Sequence, residues 1–316
     1  MTSIRISGKS EKFGNLTTSD EFLSWEIADI ISENRMRRLL SEMARSAVVL
    51  DSVKYGGLNI GTKAHASFIE NDDFLASRED SRHQVRFGQM VLNGADFREQ
   101  PELVAVKPYD DRADLYREWA AHEYINSIFD RQVGFVNLGV YNDDDGTESI
   151  ISQYDHDVIS FDASFWAGDD DPASALRPAV MQRHAVLGMN GLGMFHGSRM
   201  THGDAQAKNL AADRMGPRAI DLETARILDT DSIDDQTTFD QTRKDISSFI
   251  QSMGMVEANR QKVVEALNQE ETKQRIVLAY EEGVRSGRAA LRGEYVPDFG
   301  KYNHDSIRDD LNYLTK

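Results

Sequence analysis

THGDAQAKNLAADRMGPRAIDLETARIL, residues 201–228, is the stretch from which the rest of the chain can be read. Asp204 is followed five positions later by Asn209. Then come LAAD (210–213), a turn at MGP (215–217), and an apolar pair, Ala219 and Ile220, that delivers a second acid, Asp221. Two short β-type runs around a turn predict a hairpin. The loops flanking it would bring Asp204, Asn209 and Asp221 to one end of a small sheet. Carboxylate and carboxamide oxygens are hard donors of the kind that suit Mg²⁺. Taken singly, each residue has a simpler explanation, because Asp and Asn cap turns by bonding to nearby backbone. The combination, preceded by His202 and Gly203, is what calls for a chemical reading.

His202, Gly203, Asp204, Asn209 and Asp221 together resemble the HxDxxxxN catalytic loop and the following metal-binding Asp of the protein-kinase-like superfamily. The Gly after the His, and Asp221-Leu222-Glu223 after Ile220, look more like aminoglycoside phosphotransferases and related small-molecule kinases than protein kinases, which carry HRD and DFG. The resemblance spans residues 100–250. It implies that Asp204 orients an acceptor hydroxyl and takes its proton, while Asn209 and Asp221 hold the Mg²⁺ that accompanies ATP. One departure is Gln206, which stands where protein kinases have Lys and phosphotransferases often His; Lys208 is the cation that could substitute. In the family pattern His202 braces the loop by hydrogen bonding, and His196 would close the preceding helix. The eight His of the chain are too scattered for an imidazole zinc site. Asp245, in RKDISSFI, resembles the Asp that begins a large-lobe helix and ties the catalytic loop in place, with a local role as N-cap.

A domain of this kind is expected to have an upstream strand bearing a Lys and then a helix bearing a Glu, an ion pair that sets the Lys against the α and β phosphates. LVAVKPY places Lys107 in a setting that resembles the VAIK strand. REWAAHEYI offers Glu118 or Glu123 as its partner, and Glu118 has the more usual setting. The glycines of KYGGLNIGTKAHASFI, at 56, 57 and 61, could let backbone N–H groups approach phosphates, with Gly61 the candidate contact. The stretch is not GxGxxG, and a plain hairpin turn explains it better.

Outward from these motifs, texture predicts the organisation. Residues 20–50 carry apolar positions at helical spacing, so residues 1–45 are expected to form an N-terminal helical extension. SAVVLDSVKY, HASFI, HQVRFGQMVL and LVAVKPY read as strands. Residues 110–129 return to a helical pattern. FVNLGVY and ESIISQYD are two further strands joined at DDDG, and AGDDDPAS (167–174) is an acidic loop. PAVMQRHAVLGMNGLGMFHG is a long helix whose Met and Gly residues read as core packing that lets neighbours approach closely. Sheet first and helices second is an α+β pattern. The expectation is a bilobal protein-kinase-like fold, with an N-lobe of about five antiparallel strands and one helix over 46–155 and a mainly helical C-lobe over 156–316.

Composition narrows the partners. The formal charge of −17 would repel nucleic acid and an anionic membrane surface. The acids Asp229, Asp231, Asp234, Asp235 and Asp240 could attract a cationic acceptor, although a solvated acidic loop explains them equally. With no cysteine, disulfides and thiolate chemistry are excluded. No apolar run approaches a membrane span, and the polar N-terminus lacks a secretory core, which predicts a cytoplasmic protein. The function expected is transfer of the γ-phosphate of Mg-ATP to a hydroxyl, first of a small molecule. Protein Ser/Thr kinase activity, and a kinase-like pseudoenzyme serving as a nucleotide-binding interaction module, are the alternatives.

Overall fold

In ELVAVKPY, Glu102–Tyr109 (β4), Val104 and Val106 are wholly buried while Ala105 and Lys107 are half-buried, the alternation of a strand with one face on a core. The computed structural model describes residues 11–18, 64–70, 85–93, 102–143, 146–153, 158–161, 177–228, 233–255 and 257–315. The chain divides into two units, residues 1–127 with 135–155, and residues 128–134 with 156–316.

In the first unit β4 is one stave of a closed antiparallel barrel. The others are Glu11–Thr18 (β1), Ala64–Glu70 (β2), Arg86–Asn93 (β3), Asn137–Asp143 (β5) and Glu148–Gln153 (β6), in the order β1-β2-β3-β4-β6-β5, with β5 pairing back to β1. Closure leaves no unpaired edge. This corrects one expectation. Residues 11–18 are a stave of the barrel, pairing Leu16 with both Ala64 and Tyr141, so the 1–45 extension is not helical over that span. Pairing on both sides decides a segment whose own sequence, EKFGNLTT, carries no strong preference. The strand expected at SAVVLDSVKY, the helical pattern of 20–50 and the acidic loop 167–174 lie outside the described residues.

Between β4 and β5 runs Arg112–Ile128 (α1). Asp111 begins it as an N-cap, its Oδ1 accepting from Ala113 N at 2.8 Å. Leu115, Tyr116, Trp119 and Ala120, at helical spacing, share a buried cluster with Tyr109, Val140 and Ile150.

The short span after α1 belongs to the second unit, for a visible reason. Ala219 N donates to Val133 O at 2.9 Å, Arg218 Nη1 to Gln132 O at 3.3 Å, and Arg131 Nη1 to Pro217 O at 3.1 Å. The second unit is mainly helical: Arg177–Gly197 (α2), Gln236–Met253 (α3), Glu257–Leu267 (α4), Glu270–Ala290 (α5) and Phe299–Leu314 (α6). Its core includes Met189, Leu192, Phe249, Ile276, Tyr280 and Phe299. Glycine sets the distance between α2 and α5. A Cβ on Gly193 would lie 2.2 Å from Tyr280 O, and one on Gly283 would lie 2.1 Å from Asn190 O, so the two backbones touch directly. Among the described residues, no helix is long and apolar enough to cross a membrane.

Candidate active site

Met200–Thr201 (β8), which follows the short Ile159–Ser160 (β7), pairs with Arg226–Ile227 (β11) and so joins the ends of residues 202–225. Leu228 N, donating to Arg199 O at 2.7 Å, extends the closure. Inside the closed segment a 3₁₀ turn, Ala207–Asn209, leads into the hairpin of Leu210–Asp213 (β9) and Gly216–Ala219 (β10). Asp213 makes the turn by accepting from Met215 N at 2.7 Å and Gly216 N at 2.9 Å through Oδ1. At the open end of the hairpin Ile220 N donates to Asn209 O at 2.9 Å, and Asp221 is the next residue.

Asn209 is joined directly to Asp204. Its Nδ2 donates to Asp204 O and to Asp204 Oδ2, each at 2.9 Å. Gln206 Nε2 donates to the other carboxylate oxygen, Oδ1, at 2.9 Å. Both oxygens of the half-buried Asp204 are therefore held by neutral amides, and each keeps lone-pair capacity for a further hydrogen. Gln206, which in the sequence marks a missing cation, is a direct partner of the acid. With its nitrogen committed to Asp204, Asn209 presents Oδ1, which has no hydrogen-bond partner among the described residues, as an oxygen donor. Asp221 adopts φ 58°, the left-handed region that Asp tolerates better than most residues. Carboxylate and carboxamide oxygens together form a donor set that fits Mg²⁺.

The loop is fastened from beneath by α3. Asp245 accepts from His202 N through Oδ2 at 2.7 Å and from Gly203 N through Oδ1 at 2.9 Å. Its expected place as an N-cap is corrected: α3 begins at Gln236 after Asp235, and Asp245 sits in mid-helix, buried, with its side chain on the loop. Two turns further along, Ser252 Oγ accepts from Ala207 N at 2.8 Å. Gly203 has φ 83°, and a Cβ there would stand 2.3 Å from Thr224 O. Thr224 in turn donates from Oγ1 to His202 O at 3.1 Å. His202 is fully buried, with Nε2 3.3 Å from Asn209 O. Its Nδ1 has no hydrogen-bond partner among the described residues, so the proton belongs on Nε2.

In the first unit the two candidates on β4 and α1 meet. Lys107 Nζ donates to Glu118 Oε2 at 2.6 Å, so Glu118, the candidate with the more usual setting, is paired with the lysine. Tyr109, two residues along and so on the same face of β4, also donates to Oε2. His122, one helical turn after Glu118, holds Nε2 3.5 Å from Oε1 while its Nδ1 accepts from Phe135 N at 3.1 Å. Burial pushes the Glu118 carboxyl up, but the charge of Lys107 and the contact with His122 outweigh it and hold the group down to about 2. Tyr109 and His122 were not singled out from sequence, yet i+2 on a strand and i+4 on a helix are the spacings that place them. Gly61 lies outside the described residues, as do Asp229 and Asp231. Of the remaining acids in that run, Asp234 accepts from Tyr295 OH at 3.1 Å and Asp240 from Gln236 Nε2 at 2.8 Å.

No family model matches the chain, and no curated protein does. Solved structures do match. One is described as WaaP in complex with acyl carrier protein, 14% identical, with 73% of this chain and 86% of that chain covered and a TM-score of 0.41.

Proposed function

We propose that the chain is a protein-kinase-like phosphotransferase that moves the γ-phosphate of ATP to a hydroxyl group, first of a small molecule. The observation that carries this reading is the Asp204–Asn209 hydrogen bond within a loop fastened by Asp245. An acid whose two oxygens are oriented by amides is suited to fix an acceptor hydroxyl and take its proton. Asn209 Oδ1 and the Asp221 carboxylate would hold Mg²⁺, which when bound neutralises the charge on the phosphates. In this reading Lys107, aimed by its ion pair with Glu118, grips the α and β phosphates. Positioning and charge neutralisation would supply most of the rate, as in other phosphoryl transfers.

The test follows the label. Purified protein is incubated with Mg²⁺ and γ-labelled ATP in a cell extract, which is then separated into small-molecule and protein fractions. Label that Asp204→Asn lowers by about 10²–10⁴-fold supports general-base transfer, and the fraction that holds it identifies the acceptor class. Label in protein alone would replace the small-molecule acceptor with a protein one. ATP binding without transfer in the unaltered protein would overturn the enzymatic reading in favour of a nucleotide-binding module.

A further inference from the structure

A chain of buried polar side chains runs from α6 to the 202–209 loop across four helices. Asn303 Nδ2 donates to Thr242 Oγ1 at 3.2 Å and to Tyr280 OH at 3.0 Å. Tyr280 OH is 2.7 Å from His196 Nδ1, and His196 Nε2 is 3.2 Å from Asp245 Oδ2. Asp245 is the residue that accepts the backbone N–H groups of His202 and Gly203. All five side chains are buried.

Donor counting orients the whole chain. Thr242 spends its hydrogen on Phe239 O at 2.8 Å, so it can only accept from Asn303. That fixes the Asn303 amide with nitrogen toward Thr242 and Tyr280. Tyr280 then receives a hydrogen from Asn303 and has its own to give, and the acceptor beside it is His196 Nδ1. Burial pushes the Tyr280 hydroxyl well above its ordinary range, so it retains that hydrogen. His196 is left with its proton on Nε2, facing the Asp245 carboxylate. Asn303 Oδ1 stays buried without a hydrogen-bond partner among the described residues. A buried carbonyl without a partner costs stability, which fits an amide retained for orientation.

We propose that Tyr280 and Asn303 are positioning residues for the Asp204 loop, acting through the Nε2–H tautomer of His196 on Asp245. The last two helices are thereby part of the machinery that sets the loop. The catalytic consequence rests on the function proposed above; the positioning itself does not.

Two readouts need no activity. Side-chain ¹⁵N spectra of His-labelled protein should show His196 with a protonated Nε2 and a bare Nδ1, and a protonated Nδ1 overturns the proposal without any variant. Tyr280→Phe, which removes only the hydroxyl, should quicken amide exchange at His202 and Gly203 by roughly tenfold, while that of Val263, in the core on α4, stays within twofold. Exchange that is unchanged at both loop amides overturns the proposal. Should Tyr280→Phe not fold, Asn303→Ala is read in the same way. If the unaltered protein transfers phosphate, Tyr280→Phe should lower kcat several-fold with KM for ATP unchanged; unchanged kcat overturns the catalytic consequence. If the unaltered protein transfers none while the loop amides respond, the positioning stands and the phosphotransferase reading fails.

Discussion

At the scale of single residues, the 202–225 segment depends on atoms that leave almost no latitude. Gly203 combines a left-handed backbone with a Cβ direction filled by Thr224 O, so Gly203→Ala should destabilise the second unit by about 2 kcal/mol or more, read as a lowered denaturation midpoint. Asp221→Ala should leave the fold intact and weaken Mg-ATP binding; calorimetry that finds the affinity unchanged would remove Asp221 from the metal assignment. In the first unit, Glu118 carries the pH dependence. Its carboxyl titrates near 2 in the folded chain against an ordinary 4.5, so its ion pair stabilises above pH 4.5 and is lost as pH falls from there toward 2. Denaturant midpoints measured between pH 6 and pH 3 should fall with acid, and Glu118→Gln should flatten that part of the curve.

Among the elements, α3 and the α2–α5 pair do the most to set the loop. Helix α3 presents Asp245 and Ser252 on one side, two turns apart, and each accepts a loop N–H that would otherwise be left without a partner. Ser252→Ala should cost about 1–3 kcal/mol because Ala207 N is buried with it, and the loss should appear in thermal unfolding. Where α2 meets α5, added volume has nowhere to go, since the obstacle to a Cβ at Gly193 or Gly283 is main-chain oxygen. Gly283→Ala should therefore destabilise by about 1–3 kcal/mol, a measurement that separates direct backbone contact from ordinary side-chain packing. Helix period and strand alternation are local properties, which is why α1, α2 and the β4, β5 and β6 strands can be read from the order of residues alone. Strand β1 cannot, because its pairing partners lie more than forty residues away in β2 and further still in β5.

For the whole molecule, 53 acidic residues against 36 basic ones leave a like-charge excess that opposes folding. Added salt shortens the reach of that repulsion, so the thermal midpoint should rise between 50 and 300 mM NaCl, and a fall would mean that attractive pairs outweigh it. The order of residues along the chain determined the mixed α+β class and the hairpin between Asn209 and Asp221, because each depends on local period or turn chemistry. Tertiary structure alone decided that the sheet closes as a six-stranded barrel and that Asp245 reaches the loop from mid-helix. It also decided the path from Asn303 through Tyr280 and His196. The reason is physical: period and propensity act over a few residues, whereas hydrogen-bond partners inside a core are chosen by proximity between segments that no local pattern links.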